Sequence, residues 1–69
     1  MPITLADKGT EVIIRKIGGS HEVKLHLQNL GLVPGESCTV ISENNGNLII
    51  KFKETRLAID SYMAARIMY

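Results

Sequence analysis

The chain has 69 residues, of which 45% are hydrophobic and 22% charged, and its formal net charge is +1. This balance predicts a folded domain and excludes the low hydrophobicity and high net charge of disordered chains. It also disfavours nucleic-acid binding, for which strongly basic domains are typical. The lone Cys38 cannot form an intramolecular disulfide, and no apolar stretch is long enough to span a bilayer. We therefore predict a single domain over residues 1–69, in the cytoplasm and without direct membrane insertion.

The first half of the chain predicts a strand and a short helix. Residues 11–17 are rich in β-branched side chains and end at Gly18-Gly19, as expected for the first strand. Ser20 is a good N-cap, because its hydroxyl can accept a backbone N–H, and Gly31 can adopt the left-handed conformation that ends a helix. We therefore predict a helix over residues 21–30.

The apolar residues of this helix divide between two faces. Val23, Leu27 and Leu30 recur at helical spacing and predict the buried face. Leu25 projects to the opposite side, where either the lead-in over residues 1–7 covers it or a protein partner does. Under the second alternative, the partner-binding residues are Leu25, His26, Gln28 and Asn29.

The second half of the chain predicts further strands joined by tight turns. Residues 33–36 contain Pro-Gly in the order of a type II turn, and residues 44–47 have the composition of a hairpin turn. Strands are predicted at residues 38–42, 48–52 and 56–59, followed by a helical turn capped by Ser61 and by a last strand at residues 67–69. The pattern indicates a mainly β fold, a small five-stranded β-barrel with one helix after the first strand.

Candidate metal ligands are present but poorly spaced. They are His21, Glu22, His26, Cys38 and Asp60. The two histidines, five residues apart on a helix, would project about 140° from each other, and no second cysteine completes a four-ligand set. Cys38 lies in an alternating strand and is predicted to be a small core residue. We therefore predict no metal site and no cofactor.

Signs of catalysis are equally weak. Gly18-Gly19 lacks the further glycine and the Lys-Ser/Thr pair of a phosphate-binding loop. A domain of this size offers no deep pocket to exclude water around a catalytic set. The sequence therefore favours a binding protein over an enzyme.

One run in the middle of the chain carries a family resemblance. Leu27, Leu30, Gly31, Leu32, Pro34 and Gly35, followed by the alternating pair Cys38 and Val40, resemble the L-x-x-LGL-x-PG-x-x-V-x-V signature of the FeoA family. The resemblance extends over nearly the whole chain. It departs from the family pattern at His26, where arginine is common, at Cys38, where a β-branched residue is usual, and at Tyr69, where valine is common.

The resemblance implies an SH3-like fold and a role in iron uptake. FeoA proteins are cytosolic accessories of bacterial ferrous iron transport and act on the FeoB transporter through its cytosolic, GTPase-bearing region, so FeoB is the implied partner. The same domain type forms the C-terminal module of iron-dependent transcriptional repressors, which is the alternative; the initiator methionine favours the stand-alone form. A nucleic-acid-binding SH3-like module, with Tyr62 and Tyr69 as stacking residues, ranks last.

Overall fold

A computed structural model describes all residues, 1–69, and contains six strands and two short α-helices. A 3-10 turn at Ile3–Leu5 precedes the first strand. In chain order, the elements are β1 (Glu11–Ile13), β2 (Lys16–Ile17), α1 (His21–Asn29), β3 (Ser37–Asn44), β4 (Asn47–Phe52), β5 (Thr55–Asp60), α2 (Ser61–Ala64) and β6 (Ile67–Met68). Neither helix is long and apolar enough to cross a membrane.

The strands form two antiparallel sheets. The larger sheet has the order β1-β3-β4-β5, and the smaller consists of β2 and β6. The turn between β3 and β4 has positive φ angles at Asn45 and Gly46, as in a type I′ hairpin. Strand β3 also carries one extra residue, Ile41, between the Val40 and Ser42 pairings with β4. The predicted hairpin is therefore confirmed.

The predicted first strand is divided into β1 and β2. The structure therefore has six strands where five were predicted, and they form two sheets that are not joined by hydrogen bonds into a closed barrel. The division occurs at Ile14, whose N–H donates to the Glu36 carbonyl at 2.8 Å and whose carbonyl accepts from Gly35. One residue later, the Arg15 N–H donates to the carbonyl of Met68. The chain thus leaves β3 and joins β6, forming a corner between the sheets.

The core lies between the two sheets and α1. Thirteen apolar side chains are buried in it, and no polar or charged residue is. The buried set is Ile3, Ile14, Val23, Leu27, Leu32, Cys38, Val40, Leu48, Ile50, Phe52, Ile59, Ala64 and Ile67. Cys38 is therefore a core residue, as predicted. Leu30, expected to be buried, is only half-buried and packs against the edge of the core.

The capping chemistry of α1 agrees with the sequence, whereas that of α2 is shifted. The Ser20 hydroxyl accepts from the Val23 N–H at 3.3 Å, which begins α1 as predicted. The helix ends one residue earlier than expected, with Leu30 as its C-cap. For α2, the cap is Asp60, whose carboxylate accepts from the Met63 N–H at 2.8 Å, so the prediction of Ser61 was wrong.

Gly31 holds the end of α1 against the larger sheet. Its φ of +93° lies in the left-handed region, and a Cβ at this position would be 2.8 Å from Cε2 of Phe52. Glycine is therefore required twice, for its backbone conformation and for the close approach of an aromatic ring. Gly35, with φ +96°, completes the predicted type II turn, which the Glu36 N–H closes by donating to the Val33 carbonyl at 3.1 Å.

The two ends of the chain lie side by side. The Met1 ammonium group donates to the Tyr69 carbonyl at 2.9 Å, and the Tyr69 N–H donates to the Met1 carbonyl at 2.8 Å. Pro2 and Met68 form an isolated antiparallel bridge next to this pair. The lead-in therefore extends the β2-β6 sheet and places Ile3 in the core.

Candidate protein-docking surface

The outward face of α1 exposes an apolar side chain. Leu25 is 46% exposed, while Leu27 on the inner face is 0% exposed. The alternative that residues 1–7 cover Leu25 is therefore wrong, because the lead-in packs along β6 and inserts Ile3 into the core. Leu25 is available for contact with another molecule.

An open groove of about 430 Å³ lies beside this face, between α1, β2 and the turn after α1. The buried Leu32 and the half-buried Ile17 and Val33 form its floor. Exposed side chains form its rim, namely Arg15, Lys16, Lys24, Gln28 and Pro34. The volume is within the range of pockets that hold small ligands.

The charge of the groove has one sign. Three of the eight lysine and arginine residues of the chain line it, and none of the seven aspartate and glutamate residues does. The net charge of +1 conceals this asymmetry, because the carboxylates lie elsewhere on the surface. An apolar floor below a cationic rim can hold an apolar side chain and neutralise a neighbouring negative charge.

The four predicted partner-binding residues span an arc of about 160° around the outward side of α1. At about 100° per residue, Gln28 projects to the groove side of α1, and Leu25 lies about 60° further round, next to Asn29. His26 projects about 160° away from Gln28, on the other flank of the helix. Gln28 alone of the four lines the groove. All four side chains are exposed.

The three cations of the groove were not predicted from the sequence. Arg15-Lys16 and Lys24 are separated along the chain and lie on different elements, so each looks like an ordinary surface charge. After the corner at Ile14, Arg15 and Lys16 line the groove together with Lys24 and Gln28 of α1. The dipeptide Arg15-Lys16 at the end of a strand was the available signal, but only the fold joins it to Lys24.

The candidate metal ligands remain apart. No group of three or more His, Cys, Asp or Glu side chains is placed to hold a metal ion. Burial, and secondarily the Glu11 carboxylate, raise the pKa of the Cys38 thiol above its ordinary value. The Glu11 carboxylate accepts a hydrogen bond from the Ser37 hydroxyl at 3.3 Å, beside a second cleft of about 250 Å³. Cys38 is accordingly a protonated core thiol.

The exposed aromatic ring is also away from the groove. The Arg66 guanidinium carbon lies 4.6 Å from the centre of the Tyr62 ring, in a cation–π arrangement. Neither Tyr62 nor Tyr69 lines the groove. The cationic rim therefore lacks the stacking platform that single-stranded nucleic-acid sites combine with positive charge.

The two-sheet arrangement and the helix inserted after the first corner define a small SH3-like domain. Its fold matches that of a Stenotrophomonas maltophilia FeoA complexed with zinc, described as a prokaryotic SH3 domain protein, with a TM-score of 0.85, 20% identity, and 99% of this chain and 87% of that chain covered. The FeoA domain family matches residues 1–69, and the chain belongs to this family.

Two further comparisons agree with this assignment, and a third agrees with the fold alone. A Methanocaldococcus jannaschii protein that carries the name Fe(2+) transport protein A is 34% identical over 67 residues, which are 97% of this chain and 82% of that protein. The crystal structure of an iron uptake regulatory protein, FeoA, matches with a TM-score of 0.88 and 29% identity. The match covers 99% of this chain and 92% of that chain. A manganese-dependent transcriptional repressor has a TM-score of 0.88 at 11% identity, with 97% of this chain and 39% of the repressor covered, which shows a shared fold alone.

Proposed function

We propose that this chain is a non-catalytic accessory protein of ferrous iron uptake, which binds the cytosolic GTPase-bearing region of a FeoB-type transporter. Family membership over residues 1–69 is the observation that carries the proposal. A relative named for Fe(2+) transport, aligned over 97% of the chain, supports the same process over transcriptional repression. The protein would work on the cytoplasmic side of the membrane, recruited there by its partner.

The chemistry of the larger groove supports binding over catalysis. The larger groove is open and contains no carboxylate, histidine, cysteine or hydroxyl side chain that could act as a general base or nucleophile. The thiol of Cys38 is buried, and its raised pKa keeps it protonated.

We assign the contact to the outward face of α1. Leu25 would be the apolar anchor, and Gln28 and Asn29 would form the polar rim beside it, with His26 contributing from the far flank. Isolated exposed leucines are common on protein surfaces. This one differs because it stands on a capped helix beside an apolar-floored groove.

Truncation of Leu25 tests the assignment. We would measure the affinity of the chain for the purified cytosolic region of the transporter by calorimetry, and the unfolding of each variant by urea titration. Leu25→Ala should unfold like the parent and weaken binding by about fivefold or more, as expected for an anchor worth ~1 kcal/mol. Leu27→Ala should lose about 2–5 kcal/mol of stability instead, because that side chain is buried.

Leu5 supplies the matched control, since it is 60% exposed and lies outside α1. Leu5→Ala should leave both affinity and stability unchanged. If Leu25→Ala bound the transporter region as tightly as the parent, the α1 face would not be the contact. If the parent itself did not bind that region, the proposed partner would be wrong.

A further inference from the structure

The groove beside α1 has a chemistry that the family assignment does not explain. It combines a recessed apolar floor with a rim of cations drawn from two different elements, β2 and α1, together with Arg15 at the corner. No carboxylate in the lining neutralises them. Their positive potential is therefore directed at whatever occupies the groove.

We propose that this groove binds an acidic, extended segment of a protein partner, with an apolar side chain on the floor and flanking carboxylates against Arg15, Lys16 and Lys24. The inference deepens the proposed function, because it gives the chemistry of the partner segment that lies beside the α1 contact. Charge complementarity selects the occupant, since three uncompensated cations favour a negatively charged partner and disfavour a neutral one.

The remaining features of the groove favour a peptide over other polyanions. The floor of Ile17, Leu32 and Val33 offers an apolar surface, which a nucleic-acid backbone would leave unfilled. The exposed ring of Tyr62 lies elsewhere and is covered on one face by Arg66.

The groove adjoins the exposed leucine through Gln28. On α1, Lys24 and Gln28 are neighbours four residues apart, and Leu25 and Gln28 are neighbours three residues apart. A partner that contacts Leu25 would therefore reach the groove without leaving the surface of the helix. The two contacts form one continuous docking surface.

A pair of labelled peptides tests the proposal directly. The first is a short fluorescent peptide that alternates glutamate with leucine, and the second has glutamine in place of every glutamate. Fluorescence anisotropy with the full chain should show the acidic peptide binding at least about fivefold more tightly, with the difference shrinking as salt is raised. Equal binding of the two peptides, or no binding of the acidic one, would overturn the proposal.

Two charge-matched variants locate the site. Replacing Arg15, Lys16 and Lys24 together by glutamine should weaken binding of the acidic peptide at least about fivefold. Replacing Lys8, Lys51 and Arg56 together by glutamine removes the same charge outside the groove and should change the affinity less than about twofold. If both triple variants lose affinity equally, the effect is general electrostatics and the groove is not the site.

The same assay compares the acidic peptide with other polyanions as ligands of the groove. The competing ligands are single-stranded DNA and vesicles rich in phosphatidylserine. If either bound the parent more tightly than the acidic peptide does, and lost this binding in the groove variant, the assignment to a peptide would be overturned.

Binding of the transporter's cytosolic region separates the two proposals. If the groove variant binds that region normally while Leu25→Ala does not, the groove inference fails and the proposed function stands. If the acidic peptide binds the parent but the transporter region does not, the proposed function fails and the groove inference stands.

Discussion

Replacement of Gly31 by alanine should be among the most damaging single changes in the chain. Alanine at a φ of +93° costs about 1–2 kcal/mol in backbone strain. Its Cβ would also lie 2.8 Å from Cε2 of Phe52, and such overpacking typically costs about 1–3 kcal/mol. The sum, about 2–5 kcal/mol, is a large part of the roughly 3–10 kcal/mol expected for a domain of this length.

A control at Gly35 separates the backbone strain from the overpacking against Phe52. Its φ of +96° imposes the same backbone strain, but a Cβ there would meet nothing within 4 Å. Gly35→Ala should therefore cost only the strain, about 1–2 kcal/mol. Urea unfolding, monitored by far-ultraviolet circular dichroism, should give a lower midpoint for Gly31→Ala than for Gly35→Ala, with similar slopes.

A second background checks the contact itself. In a Phe52→Leu chain, the ring atom that approaches Gly31 is gone, so the added penalty of Gly31→Ala should shrink toward that of Gly35→Ala. Equal midpoints for the two alanine variants in the parent background would refute the reasoning, because they would show that the ring moves aside without cost.

Two further changes probe the caps and the core thiol. Ser20→Ala should cost about 1 kcal/mol, seen as a fall of about 4–8 °C in the thermal midpoint, while Ser20→Asp should retain most of the stability because the carboxylate also accepts from the Val23 N–H. The raised pKa of Cys38 means that the folded state holds the thiol proton more tightly than the unfolded chain, so stability is full below the ordinary value of 9.0 and falls as pH rises beyond it. Cys38→Val should show a smaller loss of stability at alkaline pH in parallel urea titrations, and an identical loss would contradict this account.

The sequence predicted those features that depend on neighbouring residues. Ser20 begins α1 because its side chain caps the helix, and Gly31 follows its end because glycine tolerates a positive φ. The turns at Asn45-Gly46 and Pro34-Gly35 depend on the same tolerance of positive φ. The N-cap of α2 shows where prediction from neighbouring residues fails. Asp60 and Ser61 are both good capping residues, and the pairing of Asp60 with Asn47 at the end of β5 decides between them.

The features that the sequence did not predict depend on contacts between distant residues. Ile14 divides the first strand because its backbone bonds to Gly35 and Glu36, and the next residue bonds to Met68. Arg15 and Lys16 follow this corner directly and line the groove together with Lys24. The exposure of Leu25 could be stated only as one of two alternatives, because it depended on where residues 1–7 pack.

The paired ends of the chain make this fold almost a closed loop. The reciprocal hydrogen bonds between Met1 and Tyr69 leave the two ends about one strand spacing apart, roughly 4.8 Å. A circular permutant joined there by a short glycine linker and opened at the Asn45-Gly46 turn should therefore keep the core intact. For the same reason, the domain could be inserted into a hairpin loop of a host protein without forcing the host strands apart, which would allow the docking surface to be displayed on a scaffold of choice.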